Sequence, residues 1–123
     1  MQKWRRRQVG VVDDDVAVGD SLRFLLESAG HGVVAFQSAD EFLASPDIDA
    51  LDCLLLDHHM PHVTGLELLR RLRRDGRRLP VALMTGSPSA QLAEQALACG
   101  AAVVLEKPLA EHALFAFVED VAS

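Results

Sequence analysis

Three carboxylates, one hydroxyl and one ammonium group stand where apolar runs of this sequence stop. They are Asp13, Asp14, Asp57, Thr85 and Lys107. Carboxylates held within a few ångströms repel one another, so one of them takes up a proton unless a cation lies between them. Mg²⁺ meets this need, because it prefers oxygen ligands and is commonly held by one or two carboxylates together with a phosphate. The set therefore predicts a site for a hard cation and a phosphoryl group.

The remaining members of the set could handle the phosphoryl group itself. Lys107 supplies a compact positive charge suited to a phosphate oxygen, and Thr85 supplies a hydroxyl donor. A carboxylate can also act as a nucleophile and form an aspartyl phosphate. We assign this role to Asp57, because the third apolar run would be the central strand of the sheet. The cation and Lys107 would disperse charge on the transferring group.

An alternation of short strands and helices must position these residues. The predicted strands are Gln8–Val12, Val33–Phe36, Leu51–Leu56, Val81–Met84 and Ala102–Leu105. Five helices are predicted between and after these strands. The first runs from Val16 to Ala29, the fourth from about Ala90 to Cys99, and the fifth from Glu111 to about Val121. The second is a short helix that begins at a Ser38–Glu41 capping box and ends before Pro46, and the third passes through Leu66 and Leu72. Asp15 is expected only to cap the first helix.

This order of elements predicts an α/β fold with one five-stranded parallel sheet and helices on both faces. A nearly continuous apolar run such as Leu51–Leu56 is typical of a strand that is buried on both faces. In open sheets of this kind, ligands bind beyond the carboxyl ends of the strands. All five polar residues lie at such ends, so the topology would bring them together.

The composition indicates one acidic globular domain. The chain has 123 residues, 50% hydrophobic and 24% charged, with a net charge of -6. This length suits one domain, and the charge argues against nucleic-acid binding by the domain itself, so the arginines of 70–78 indicate a solvated helix end. Cys53 and Cys99 are expected to be reduced thiols. No apolar run approaches the ~20 residues of a membrane span, and Met1–Arg7 is predicted to be a flexible basic leader, not a signal peptide.

Four motifs surround the predicted site, in the same order as the strands. They are V-V-D-D-D, L-L-L-D-H-H-M-P-x-x-T-G-L-E-L-L, L-M-T-G and E-K-P. Together they resemble the receiver domain of two-component response regulators, with spacing most like the FixJ type, over about residues 8–120. The resemblance implies a flavodoxin-like, CheY-like domain over residues 8–121, with strand order 2-1-3-4-5, after the leader of residues 1–7.

The resemblance also implies a role for each matched residue. Asp57 is the implied phosphoacceptor and is itself a metal ligand. The other implied Mg²⁺ ligands are Asp14, bound directly, Asp13, acting largely through water, and the backbone carbonyl of His59. The implied phosphoryl contacts are the Thr85 hydroxyl and the Lys107 ammonium group.

Receiver domains take a phosphoryl group from a phosphohistidine and later hydrolyse it, so we expect no conventional enzyme. The implied partner is a sensor histidine kinase or a phosphotransfer protein, and the implied location is the cytoplasm. A homodimer through the face of the fourth helix, fifth strand and fifth helix is also expected, whereas neither nucleic acid nor membrane is an expected partner. FixJ-type regulators generally continue into a DNA-binding domain, so the chain is either a stand-alone receiver or the receiver part of a longer regulator.

Two places depart from the family pattern. Val104 stands three residues before the lysine, where the family usually carries a tyrosine or phenylalanine whose rotamer reports the state of the threonine. Valine is short and stiff at χ1, so we expect weak coupling of this kind and an output carried by backbone movement of Gly86–Pro88 and the following helix. His58 and His59 are also unusual. We favour a solvated loop pair, although they could tune hydrolysis, or bind a transition metal with His62.

Two other functions stay open at the level of sequence. A receiver-like interaction module with weak or phosphorylation-independent switching would suit Val104, whereas the intact acids, threonine and lysine oppose it. A Mg²⁺-dependent phosphohydrolase with an aspartyl nucleophile would need a second acid two residues after Asp57 as general acid or base, and His59 stands there instead. Phosphorylation of Asp57 without turnover is the property that separates the receiver from both.

Overall fold

A computed structural model describes residues 5–121 as five strands joined by helices. The strands are β1 (Gln8–Val12), β2 (Gly32–Phe36), β3 (Cys53–Asp57), β4 (Val81–Thr85) and β5 (Val103–Glu106). The helices are α1 (Val16–Ser28), α2 (Ala39–Leu43), α3 (Gly65–Arg74), α4 (Ala90–Ala98) and α5 (Glu111–Ala116). None of the helices in this part of the chain combines the length and the apolar character that crossing a membrane would require.

The predicted elements are present, and the largest difference is at the last helix. α5 was expected to run to about Val121, but its regular α-helical turns end at Ala116, and Phe117–Val121 continues in wider π-helical turns. A short 3-10 turn, Ile48–Ala50, precedes β3, which begins at Cys53 and not at Leu51. The other predicted strand ends shift by only one residue.

The five strands form one parallel sheet in the predicted order β2-β1-β3-β4-β5. In the central strand β3, Leu56 pairs with Val12 of β1 on one side and with Leu83 of β4 on the other. Every residue of β3 and β4 is buried. Because all strands run in the same direction, their carboxyl ends meet at one edge of the sheet.

Two apolar cores cover opposite faces of the sheet, because successive side chains of a strand point to opposite faces. On β3, Leu54 and Leu56 belong to one core, whereas Cys53 and Leu55 belong to the other. Residues of α2, α3 and α4 complete the first core, and residues of α1 and α5 complete the second. Burial on both faces explains why the strands read as continuous apolar runs.

Side chains cap the helices much as expected. The Asp15 carboxylate accepts a hydrogen bond from the Ala17 N–H at 3.0 Å, which confirms its role at the start of α1. The predicted capping box at α2 is only half correct. The Ser38 hydroxyl accepts from the Glu41 N–H at 3.0 Å, but the Glu41 carboxylate accepts from Gln37, one residue before the cap. A complete capping box is found instead at the start of α3.

Arg7 packs into the domain, although the sequence assigned it to the leader. Its side chain is buried, its backbone N–H donates to Nδ1 of His31 at 3.0 Å, and its guanidinium donates to the carbonyl of Glu119 at 3.2 Å. The packed part of the chain therefore includes one residue before the expected boundary at Gln8. Met1–Trp4 lie outside the described residues, so the flexibility of the leader stays a prediction.

The two cysteines are free thiols with different environments. Burial, assisted by the charge of Asp52, raises the pKa of Cys53 to about 12 despite the opposing charge of Arg7, whereas Cys99 is only half-buried.

Since the thiolate is the reactive species, we expect iodoacetamide at about pH 8 to alkylate the folded protein at Cys99 alone. Peptide mapping by mass spectrometry checks this against urea-unfolded protein, in which both thiols should react. Equal labelling rates in the folded protein would contradict it.

Candidate phosphoryl-transfer site

The carboxyl edge of the sheet brings together the five polar residues that the sequence indicated. Asp13 and Asp14 follow β1, Asp57 is the last residue of β3, Thr85 is the last residue of β4, and Lys107 follows β5. These four strands are successive neighbours in the sheet. The predicted juxtaposition therefore follows from topology alone, since each strand delivers its final residue to the same edge.

Three carboxylates crowd one end of this site. Asp13, Asp14 and Asp57 offer oxygen atoms within 4.8 Å of one another, and within residues 5–121 no other group of three potential metal-ligating side chains is found. Asp13 is 3% exposed and Asp57 is 2% exposed, whereas Asp14 is open to solvent. Two carboxylates are thus held in a buried pocket while the third faces the entrance.

Lys107 bridges the two buried carboxylates. Its ammonium nitrogen lies 2.7 Å from Oδ2 of Asp13 and 3.1 Å from Oδ1 of Asp57. Backbone amides support the same carboxylates: the Asp15 N–H donates to Asp13 at 2.9 Å, and the His59 N–H donates to Asp57 at 3.2 Å. Charge-assisted bonds of this kind are stronger than neutral ones, so both side chains are held in fixed orientations.

The charges of the site shift its pKa values in opposing ways. Burial raises the pKa of Asp57, the negative charge of Asp13 raises it further, and the bonds from Lys107 and His59 offset only part of this. Burial by itself lowers the pKa of Lys107, but its hydrogen bonds and ion pairs with Asp13 and Asp57 outweigh burial and raise it. The carboxylates therefore carry more negative charge than one ammonium group balances.

The residues present fit a bound Mg²⁺. The donors are carboxylate oxygens, which suit a hard cation, and three of them converge where negative charge is in excess. The exposed position of Asp14 leaves a path for the ion and its waters to enter. The role of the His59 carbonyl stays a prediction.

Thr85 is held more tightly than the sequence suggested. Its side chain is fully buried, and its hydroxyl oxygen accepts a hydrogen bond from the Ser87 N–H at 3.0 Å. The same oxygen lies 2.9 Å from Nε2 of His59, at hydrogen-bonding distance. His59 is exposed to solvent, as expected for the loop pair of His58 and His59, but it also bonds the hydroxyl at the end of β4, which the sequence did not indicate.

His58 also has a partner within the domain. Its Nδ1 accepts a hydrogen bond from the Leu66 N–H at the start of α3, at 3.3 Å. Burial, with the neighbouring charge of His59, lowers the pKa of His58 despite the opposing effect of Glu67. The two imidazole rings meet edge to face with centroids 5.0 Å apart. Within the described chain the histidines do not form a metal cluster with His62, so the transition-metal alternative has no support.

No sequence signal pointed to the contacts of His59 or His58. A hydrogen bond between residues 59 and 85 joins the loop after β3 to the end of β4, two sites that are 26 positions apart in sequence, and it leaves no periodic pattern. Val104, by contrast, lies where the sequence placed it, half-buried in β5 opposite Leu83 and packed against the first core.

Comparisons with known proteins agree with the fold and the motifs. The chain matches the family described as the response regulator receiver domain over residues 9–119. It is 41% identical over 109 residues to the transcriptional regulatory protein FixJ of Bradyrhizobium diazoefficiens. It is 45% identical over 111 residues to the FixJ protein of Azorhizobium caulinodans. Each match covers 89% of this chain and 53% or 52% of the relative, so the chain spans about half the length of these curated relatives.

Solved structures show the same similarity. The structure named FixJ-N has a TM-score of 0.82 and 32% identity, and the match covers 99% of this chain and 95% of that one. A response regulator receiver protein from Pseudoalteromonas atlantica has a TM-score of 0.83 and 28% identity, with 90% and 93% covered. The family resemblance drawn from the four motifs is therefore confirmed. This chain belongs to the response regulator receiver domain family, as a FixJ-like receiver domain of a two-component response regulator.

Proposed function

We propose that this receiver domain accepts a phosphoryl group on Asp57 from a phosphohistidine, with Mg²⁺ bound beside it, and that its partner binding changes as a result. The observation that carries the proposal is the bridge from Lys107 to the buried carboxylates of Asp13 and Asp57, at 2.7 and 3.1 Å. The carboxylates are in excess over the ammonium group that they share. A divalent cation would balance this excess, and together with Lys107 it would offset the negative charge of an incoming phosphoryl group.

In the transfer, a carboxylate oxygen of Asp57 would attack phosphorus while the bond from phosphorus to the donor imidazole nitrogen breaks. The imidazole leaves with the bonding electron pair, and the aspartyl phosphate stays on this chain until water hydrolyses it. Lys107 would turn to a phosphoryl oxygen and neutralise its charge, and the Thr85 hydroxyl would donate to another. Bound Mg²⁺ supplies further neutralisation of the carboxylates and the phosphoryl oxygens.

The consequence for partner binding comes from the added charge. An aspartyl phosphate carries roughly -1.5 to -2 charges at neutral pH in place of the single charge of the carboxylate, which would draw Thr85 and Lys107 towards it. These residues end β4 and follow β5, so the backbone that leads into α4 and α5 would be biased with them. The size of the response depends on how differently a partner binds the two states.

The proposed phosphodonor is a sensor histidine kinase or a phosphotransfer protein, and the proposed location of the domain is the cytoplasm. An apolar groove of about 490 Å³ adjoins Lys107 and Pro108 and is walled by α1 residues that include Leu22 and Leu25. A protein that carries the phosphohistidine must come within bonding distance of Asp57, and this groove offers apolar contact beside that point. Phe24, on the same helix, is an exposed aromatic side chain.

A homodimer through α4, β5 and α5 is a separate part of the proposal. Leu97 of α4 is a large apolar side chain that is 54% exposed and could take part in such an interface. Burial of this side chain in a dimer would remove apolar surface from water, and phosphorylation would favour the dimer if it moved α4.

The alternative function is an interaction module whose switching does not depend on phosphorylation. Two observations favour it: the Thr85 hydroxyl is already bonded to His59, and Val104 lacks a ring that could follow Thr85. Both concern the response to phosphorylation and not the chemistry at Asp57. The alternative is therefore separated from the main proposal by whether Asp57 reacts.

Treatment with acetyl phosphate followed by intact-mass measurement tests the proposal. We expect a single phosphoryl addition that requires Mg²⁺ and is absent in Asp57→Asn. Asp20→Asn, which changes an exposed aspartate of α1, serves as the matched control and should react like the wild-type protein. An unreactive wild-type protein would favour the interaction module, and multiple turnover of small phosphate esters would favour a phosphohydrolase.

A further inference from the structure

The Thr85 hydroxyl already has two hydrogen-bond partners in this structure. A hydroxyl offers one proton and two acceptor positions. The Ser87 N–H uses one acceptor position, at 3.0 Å, and His59 Nε2 uses either the second acceptor position or the proton, at 2.9 Å. The Thr85 side chain is fully buried, whereas His59 is exposed to solvent.

We propose that His59 is a positioning residue that holds the Thr85 hydroxyl in the unphosphorylated state and competes with the phosphoryl group for it. This inference rests on the proposed function, because it concerns the hydroxyl that would contact the aspartyl phosphate. Where the hydroxyl donates its only proton to the imidazole, it must give up that bond before it can donate to a phosphoryl oxygen, and in the other tautomer the bond from the imidazole holds the hydroxyl oxygen in place. The strength of the His59 bond therefore opposes the phosphorylated conformation.

The way in which His59 restrains the hydroxyl differs between the two neutral tautomers of the imidazole. Where Nε2 carries no proton, Thr85 donates its only proton to His59 and has none for a phosphoryl oxygen. Where Nε2 carries the proton, His59 donates to Thr85, and the bonds from Ser87 and His59 together fix the position of the hydroxyl oxygen. Either arrangement keeps the hydroxyl beside the loop that follows β3.

The geometry also directs the response towards α3. β4 lies between β3 and β5, so Thr85 has the loop of His59 on one side and β5 on the other. On the β5 side, Val104 presents a short, stiff side chain. On the β3 side, His59 meets the ring of His58, whose Nδ1 accepts from the Leu66 N–H of α3. Loss of the bond between His59 and Thr85 would therefore change the contacts of His58 at the start of α3.

Three variants of the chain separate this role from general effects. His59→Phe keeps an aromatic ring against His58 but cannot bond Thr85, whereas His59→Gln keeps a polar group at nearly the same reach. Both preserve the backbone N–H that bonds Asp57. His112→Phe, at an exposed position of α5, is the matched control for the chemical change.

With a fixed concentration of acetyl phosphate and Mg²⁺, we expect His59→Phe to raise the ratio of phosphorylated to unphosphorylated protein about three- to tenfold, the effect of one net hydrogen bond. His59→Gln should give a ratio of phosphorylated to unphosphorylated protein close to that of the wild type. His112→Phe should give the same ratio as the wild type. In a Thr85→Val background, His59→Phe should have no further effect, because the bond is already lost. An undiminished effect in that background would overturn the proposal, since His59 would then act directly on phosphorylation.

A spectroscopic readout tests the bond without any phosphorylation. In the unphosphorylated protein, the ¹⁵N shift of His59 Nε2 should change in Thr85→Val and stay constant in His112→Phe. An unchanged shift would overturn the inference even if Asp57 reacts as proposed. If neither the wild-type protein nor His59→Phe reacted with acetyl phosphate, the proposed function would be overturned instead. If the wild-type protein did not react but His59→Phe did, the result would support His59 as the residue that restrains Thr85. Equal ratios for wild type and His59→Phe in a reactive protein would overturn the inference alone.

Discussion

Asp57→Asn is expected to be more stable than the wild-type protein at neutral pH in the absence of Mg²⁺, although it removes the proposed phosphoacceptor. The buried Asp57 carboxylate lies beside Asp13, and one ammonium group serves both. Asparagine is neutral and can still accept the hydrogen bond from the His59 N–H. Lys107 would keep its ion pair with Asp13. We expect the free energy of unfolding to rise by about 1 kcal/mol or more, the scale on which buried charges cost stability.

The pH dependence of this difference follows from the direction of the pKa shift. Burial, together with the charge of Asp13, raises the pKa of Asp57 above its ordinary value of 3.8. The folded wild-type protein therefore binds a proton more tightly than the unfolded chain, and its stability falls as the pH rises from that value through the raised pKa. The advantage of Asp57→Asn should be small below the ordinary value, grow through this window and stay constant above the raised pKa.

Urea unfolding of both proteins over a pH series with a chelator present measures this effect. Asp20→Asn is again the control, because it removes an exposed carboxylate outside the cluster. Added Mg²⁺ should then stabilise the wild-type protein more than Asp57→Asn, since a ligand that binds only the folded state adds more stability the more tightly it binds. If Asp57→Asn were less stable than the wild-type protein at neutral pH, the prediction would be wrong, because the negative charges of the site would then already be balanced without Mg²⁺.

Much of the fold could be predicted because its signals are local. The apolar runs that end at Val12, Leu56 and Met84 mark strands buried on both faces, and the parallel order of the sheet then places their next residues together. This argument needs no knowledge of side-chain contacts, only that parallel strands share one carboxyl edge. The acids, the threonine and the lysine were found for that reason.

The contacts that tune the site could not be predicted in the same way. The bonds from His59 to Thr85 and from His58 to Leu66 depend on the path of the loop after β3, which no repeating pattern records. The burial of Arg7 was missed because a run of basic residues ordinarily indicates a solvated segment, and its partners His31 and Glu119 are distant in sequence. In each case the partner is set by tertiary packing, so residue type alone did not reveal the contact.

Gly65→Ala is expected to destabilise the domain by about 3 kcal/mol, because α3 begins in direct contact with the strand end that carries Asp57. A Cβ atom at position 65 would overlap the Asp57 carbonyl oxygen and would lie 2.8 Å from Cα of His58. Both are backbone atoms and cannot move aside as the end of a flexible side chain can. Overpacking of this kind typically costs ~1–3 kcal/mol, and contact with backbone belongs at the upper end.

The comparison with Gly86→Ala makes this prediction specific. Gly86 has no atom within 4 Å of the position its Cβ would take, so alanine there should change the free energy of unfolding by less than about 1 kcal/mol and could raise it. Urea unfolding measures both variants, and failure of Gly65→Ala to fold would be the extreme form of the expected loss. Equal stabilities for the two variants would contradict the prediction.

Because the Gly65 N–H also bonds the His58 carbonyl at 3.0 Å, any shift that relieves the overlap must move the loop that holds His59 against Thr85. The close approach at Gly65 therefore links the stability of α3 to the geometry of the phosphoryl-transfer site.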